Sequence, residues 1–245
     1  MAKVVIFGLH DFASLAHFYL QHDSEHEVVG FSVTQEYLSG NSSFEGLPVV
    51  PFEEIERIYP ASDHAFFAPM SHRRMNTIRK SIYEGIKAKG YFLISYVSSK
   101  ATIFSSTAVG DNCFILEDNT IQPFTSIGNN VILWSGNHIG HHSIIKDHVL
   151  FTSHVVLSGH CVVESFCFLG VNATVRDKVH LAEGTLVAMS ASVTRNTEAW
   201  GVYEGVPAQK RKVSSKDLNF WLVSRSVFKW SGSKKVWCMD QMGVH

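Results

Sequence analysis

Residues 135–143 read SGNHIGHHS, three histidines in nine positions, and seven of the chain's fourteen histidines fall between 138 and 180. Histidine is the side chain whose unperturbed titration lies closest to neutrality, so such a cluster suits proton transfer or metal ligation. Which of the histidines can act together depends on the repeat that spaces them. From Ile103 to Val193 every sixth residue is apolar, sixteen positions in all, including Ile121, Ile139, Leu157 and Val175. Chance would produce such a run about twice in a hundred thousand tries at this apolar content. Four residues after these anchors the side chain is usually small or β-branched, as at Cys113, Thr125, Ser143, Cys161 and Ala173.

One large and one small inward position every six residues is the signature of a parallel β-helix. Three repeats make one turn, so residues eighteen apart lie above one another. Cys113, Cys161 and Cys167 fall in the small inward column, which gives them a packing role as reduced thiols. His142, His148, His154 and His160 each stand three positions past an anchor, at equivalent points on successive faces, and only His142 and His160 are stacked. His148 and His154 are expected to be solvated surface. His141 is two positions past Ile139, and the residue one turn beyond it is Gly159. A glycine leaves space and a bare amide beside the imidazole. A base for an attacking group and an N–H donor for a developing oxyanion are what acyl transfer requires.

The first hundred residues have a different period. Short apolar strands at 3–7, 27–33, 64–68 and 91–95 alternate with helical patterns. The first helix follows Gly8 with Asp11 as its predicted cap, the second lies around 51–59, and the third is capped by Ser71, carries Met75, Ile78, Ile82 and Ile86 on one face, and ends near Gly90. Strand and helix in alternation imply a parallel sheet with any ligand at the carboxyl ends of its strands. The first turn, GLHDFA, has one glycine where a dinucleotide site wants G-x-G-x-x-G, which argues against a nicotinamide cofactor. The helix N-terminus beside His10 remains able to hold a nucleotide phosphate, a plain structural turn being the other reading.

With 21 Lys plus Arg against 22 Asp plus Glu, no net field recruits nucleic acid or an anionic membrane. The start is too short in apolar residues for a secretory signal, and no run of about 18 apolar residues follows, so a cytoplasmic protein with a small-molecule partner is expected.

The hexapeptide register, NHIGHHS at 137–143, GVNATVRD at 170–177 and GVYEGVPAQK at 201–210 resemble the left-handed β-helix acyltransferases. More narrowly, residues 1 to about 210 resemble the sugar acyltransferases of the sialic acid O-acetyltransferase and bacillosamine N-acetyltransferase group. The resemblance implies an α/β Rossmann-like domain over 1–98 that binds a nucleotide-sugar and a left-handed parallel β-helix acyltransferase domain over 99–208 that takes acetyl-CoA; the tail over 209–245 lies beyond it, has lost the period of six and is expected to be partly helical. It implies a homotrimer with active sites between subunits, and N-acetylation of a nucleotide-linked deoxyamino sugar used in surface polysaccharide or O-antigen synthesis, with O-acetylation of a hydroxyl as the alternative. His141 takes the place of the base and Gly159 that of the amide facing the acyl carbonyl. His142 stands where many members have Glu or Asp. Asn137, His138, His10, Asp11 and Ser71 are candidate substrate contacts, and Lys210 and Arg211, with Gly159, candidate contacts to coenzyme A. No metal is expected. A zinc enzyme of the γ-carbonic anhydrase type and a non-catalytic scaffold are the rival readings.

Overall fold

A computed structural model describes residues 1–38, 40 and 42–218 of the chain. The N-terminal unit is a six-stranded sheet of β1 (Lys3–Phe7), β2 (Glu27–Val33), β3 (Ser43–Phe44), β4 (Leu47–Pro51), β5 (His64–Phe67) and β6 (Phe92–Leu93). Their order is β3-β4-β2-β1-β5-β6, parallel except for the β3–β4 hairpin. That hairpin was not anticipated from sequence, although Glu45-Gly46 is a two-residue turn signal; both residues have positive φ, 50° and 78°. Helix α1 (Asp11–His22) covers one face of the sheet through Ala13, Ala16 and Leu20. Helices α2 (Ile55–Ile58) and α3 (Thr77–Ala88) cover the other through Ile55, Tyr83 and Ile86.

Two helix starts differ from expectation. Asp11 is the first helical residue of α1, where its charge suits the positive end of the helix, and His10 occupies the cap position with no side-chain cap bond. Ser71 does not cap α3. Arg74, Met75 and Asn76 have φ of 50°, 50° and 64°, so the chain cannot enter a right-handed helix before Thr77, and Asn76 is the cap residue. The left-handed run sends buried Met75 away from the helix, against Leu186 and Val202.

From Tyr96 the period of six takes over. Seventeen strands of two residues, β7 (Tyr96–Val97) to β23 (Ser192–Val193), wind through three parallel sheets. All sixteen anchors from Ile103 to Val193 are the second residue of such a strand, and Val97 adds one more. Residues eighteen apart pair, as in Ile121 with Ile139 and Ile139 with Leu157. The anchors fill the interior together with Cys113, Cys161 and Cys167, all fully buried free thiols. Burial pushes the Cys113 and Cys167 thiols up to about 12, which suits the inert packing role expected of them.

From Asn112 to Ser190 each corner between strands is turned by the residue three past an anchor, held in the left-handed region: Asn112, Asn130, His142, His148, His154 and His160 have φ between 52° and 62°. Short polar side chains and glycine tolerate that conformation best, which favours the histidine, asparagine and glycine at this repeat position, while Phe124, Phe166 and Lys178 adopt it as well.

The outward residues of one face, Tyr96, Phe114, Ile132, Leu150, Phe168 and Leu186, are large and apolar at intervals of eighteen. Phe114, Ile132 and Leu150 are buried in one core with β1, β5 and α1, so the α/β unit sits on this face. Arg79 of α3 reinforces the junction. Fully buried, it donates to the carbonyls of Asn130, His148 and Val149 at the β-helix edge, and burial lowers its pKa to about 9. The coil closes with β24 (Gly201–Glu204) and an antiparallel β25 (Gln209–Ser214), followed by a 3-10 turn at Ser215–Asp217. The tail thus begins as strand, and most of the part expected to be helical, with Cys238 and the tail's tryptophans, lies outside the described residues. Among the described residues no helix is long and apolar enough to cross a membrane.

Candidate active site

The ladder that stacks the coils also stacks the cluster of SGNHIGHHS. His142 turns the corner between β14 (His138–Ile139) and β15 (Ile144–Ile145), on the edge where the two faces not covered by the α/β unit meet. One coil down stands Phe124, with its ring centroid 4.7 Å from that of His142, and one coil up His160 stacks on it at 4.9 Å and 17°. His141 sits beside this column. Its backbone N–H donates to Gln122 Oε1 at 2.9 Å, and its ring stands edge-on to His160 at 5.0 Å.

His141 lies over Gly159. A Cβ at that glycine would stand 2.9 Å from His141 Cε1 and 3.1 Å from Nε2, so only glycine leaves the ring its place. Among the described residues no hydrogen bond is made by the Gly159 amide, which leaves a donor beside the imidazole. On the other side, His141 Nδ1 is 3.0 Å from His142 Nδ1. Two imidazole nitrogens at this distance share one proton, since a neutral ring has one donor and one acceptor nitrogen. With the proton on His141, its Nε2 carries the free lone pair and can accept a proton from a substrate. His142 thus occupies, with nitrogen, the orienting place that the resemblance gives to a carboxylate.

The remaining predicted residues separate. Asn137 faces into the coil, 1% exposed; its amide nitrogen donates to Trp134 O and its Oδ1 accepts from Val155 N–H, so it holds the ladder and lines no groove. The repeat explains this: Asn137 is four past Leu133, in the small inward column. His138 is half-buried on the outer side of β14, between Thr120 and Val156. His10 and Asp11 are exposed at the N-terminus of α1, and Ser71 is half-buried beyond β5. Among the described residues no hydrogen bond or ring contact joins these three to His141. Lys210 and Arg211 on β25 pair with Glu198, at 2.5 Å, and Glu204. Lys210 also borders a cleft with Thr194, Arg195, Asn196 and Tyr203.

His154 is exposed as expected, but His148 is buried. Its Nδ1 accepts from Asn130 Nδ2 at 3.0 Å, and its ring packs against Tyr83 of α3 and Phe166. Burial, with the nearby Arg79 charge, holds its pKa down to about 4. The helix laid over this corner makes the difference. The stack of His160 on His142 is the one expected from sequence, whereas two contributors to the His141 site escaped the sequence reading: Gln122 and Phe124. Offsets of eighteen and nineteen from His141 and His142 would have found them.

No family model matches the chain. Among solved structures, it is similar to a histidine-to-asparagine mutant of perosamine N-acetyltransferase from Caulobacter crescentus in complex with CoA and GDP-perosamine, at 20% identity, over 86% of this chain and 97% of that one, with a TM-score of 0.74. It is also similar to the acetyltransferase domain of PglB from Neisseria gonorrhoeae, at 17% identity over 86% and 100%, with a TM-score of 0.75. WeeI from Acinetobacter baumannii matches at 18% identity over 86% and 100%, with a TM-score of 0.73. The α/β unit seated on one face of a parallel β-helix is therefore the fold that this chain shares with known acetyltransferases.

Proposed function

We propose that the chain is a cytoplasmic, acetyl-CoA-dependent N-acetyltransferase of a nucleotide-linked deoxyamino sugar, serving surface polysaccharide synthesis. In this reading the α/β unit is Rossmann-like and holds the nucleotide-sugar, the β-helix is left-handed, and the working form is a trimer. The observation that carries it is the seating of His141 over Gly159, with Nδ1 held by His142 and a free amide alongside. The neutral sugar amine attacks the thioester carbonyl carbon while His141 Nε2 takes the amine proton. The Gly159 N–H steadies the oxyanion as it forms, the C–S bond breaks, and the proton passes to the departing thiolate. The CoA and GDP-perosamine held by the Caulobacter enzyme support a thioester donor and a nucleotide-sugar acceptor.

Two features favour an assembly. The His141 corner joins the faces that the chain's own α/β unit leaves bare, while the turn with His10 and Asp11 belongs to the unit on the third face. Exposed apolar side chains, among them Phe124, Ile144 and Val156, lie at or beside the His141 corner. A neighbouring copy on that corner would cover them and could bring its own nucleotide-binding turn to His141.

The test is release of free CoA from acetyl-CoA against a panel of nucleotide-linked amino sugars, with the matching nucleotide-linked hydroxy sugars beside them. Turnover with at least one amino sugar, and product carrying a new amide, is the expected result. Turnover confined to hydroxy sugars would replace N-transfer by O-transfer, and none with any acceptor despite acetyl-CoA binding would remove the enzymatic reading.

A further inference from the structure

The histidines of the exposed corner form a group that acyl transfer alone does not require. One nitrogen from each of His141, His142 and His160 lies within 4.8 Å of the others, and all three side chains are exposed. We propose that these three residues form a zinc-binding site, and that zinc bound there inhibits the enzyme by occupying its base; the inhibitory half of this inference rests on the acetyltransferase reading above.

The backbone presents the ligands in a fixed arrangement. His142 and His160 hold equivalent left-handed corners with φ of 57° and 56°, one coil apart, and the His160 N–H donates to His141 O at 2.9 Å. Only side-chain rotation separates the observed arrangement from a ligand set. Zinc–nitrogen bonds of about 2.0–2.1 Å put tetrahedral donors about 3.4 Å apart. The His141–His142 pair, at 3.0 Å, is already closer than that, and the limit of 4.8 Å for the group leaves His160 a short swing inward. Three neutral imidazoles suit zinc better than a hard cation such as magnesium or calcium, and they leave a fourth position for water.

Occupancy and catalysis exclude one another whichever nitrogen of His141 binds. Coordination through Nδ1 breaks the hydrogen bond to His142 and places the ring proton on Nε2, the atom that must accept the substrate's proton. Coordination through Nε2 uses that lone pair directly. No net proton is taken up or released when all three rings are neutral before and after binding.

The experiment is calorimetric titration of tag-free, full-length protein with zinc, alongside His160→Asn. Asparagine tolerates the left-handed corner, so the variant keeps the coil while losing the imidazole. About one zinc per chain and at least tenfold weaker binding in the variant are expected, and equal binding by the two proteins overturns the site. Should His160→Asn fail to fold, His141→Asn, which is not at a left-handed position, gives the same comparison. Visible absorption of the cobalt-loaded protein is a second readout that needs no activity: bands of a tetrahedral ion are expected, and bands that persist in the variant count against the site. Acetyl transfer is then assayed with chelator and with zinc. Transfer that is present with chelator and suppressed by zinc supports inhibition, and transfer unchanged at saturating zinc overturns it. Zinc binding that depends on the triad in a protein without transfer under chelator leaves the metal site standing and removes the acetyltransferase reading.

Discussion

His142 and His148 are six residues apart, hold the same position in the repeat and turn the same left-handed corner, with φ of 57° and 62°. One is exposed and shares a proton with a neighbouring imidazole; the other is buried, bonded to Asn130 and pressed on by Tyr83. Nothing in their own hexapeptides separates them. Helix α3, from a segment some 70 residues earlier in the chain, lies over the second corner and leaves the first open. The repeat therefore fixes where a side chain stands, and the unit docked on one face decides whether that place is a site or a joint.

The sharpest way to break this division is to substitute on each side and read both activity and stability. His141→Asn removes the proposed base, and kcat should fall by about 10²- to 10⁴-fold with the melting temperature essentially unchanged. His148→Asn keeps a residue that tolerates the corner, and its expected cost is stability, about 1–3 kcal/mol in urea titrations, with kcat within about twofold of the parent. A variant that moves both quantities together would show that the two corners are coupled.

Acid separates them next. Because the folded protein holds His148 at about 4, below the value near 6.5 of an exposed histidine, the unfolded chain binds the extra proton between these limits. Stability is therefore full above about pH 6.5 and declines as pH falls toward about 4, by at most about 3 kcal/mol from this residue. Unfolding titrations at both ends of that window should show the decline in the parent, and less of it in His148→Asn.

Much of this frame was legible in advance. Every anchor from Ile103 to Val193 lies where a period of six puts it, because each inward position must be filled from its own coil. Val97 lies before the first anchor read from the sequence, Ile103: the chain leaves β6 (Phe92–Leu93), inside the strand expected at 91–95, and already enters the first coil at Tyr96. The His141–Gly159 contact followed from an offset of eighteen, which is backbone geometry. Burial of His148 did not, since it depends on a helix remote in sequence. Yet the docked face was written at the same offset, in Phe114, Ile132 and Leu150, and could have been read as the seat of the N-terminal unit. Asn137 differs from expectation for a related reason: it belongs to the inward column, where its amide pairs with backbone groups, the Trp134 carbonyl and the Val155 N–H, instead of a substrate.

Within the open corner, Gly159→Ala tests the space that the repeat leaves for the proposed base, His141. The backbone of Gly159 needs no positive φ, so alanine strains no dihedral, but its methyl group would meet His141 at 2.9 Å. The ring must move by a few tenths of an ångström or more. Displacements of about 1 Å at a reacting group cost roughly 10²-fold, and a fall of about that size in kcat, with KM for acetyl-CoA little changed, is the expected result.

The smallest effect bears on what an imidazole does where a carboxylate could stand. His142→Gly keeps the left-handed corner and removes the partner of His141 Nδ1, so kcat should drop about 10- to 100-fold, the usual cost of losing a group that orients a histidine. His142→Asp restores an acceptor and adds a charge, and aspartate also tolerates this backbone. A negative neighbour favours the protonated imidazole, so in His142→Asp the acid limb of the pH–rate profile should move to higher pH while the plateau recovers part of the loss. Recovery without a moved limb would mean that His142 only fills space at the corner. A moved limb with recovery would mean that the hydrogen bond between the two rings holds the base, and that a neutral partner lets it work at lower pH than a carboxylate would.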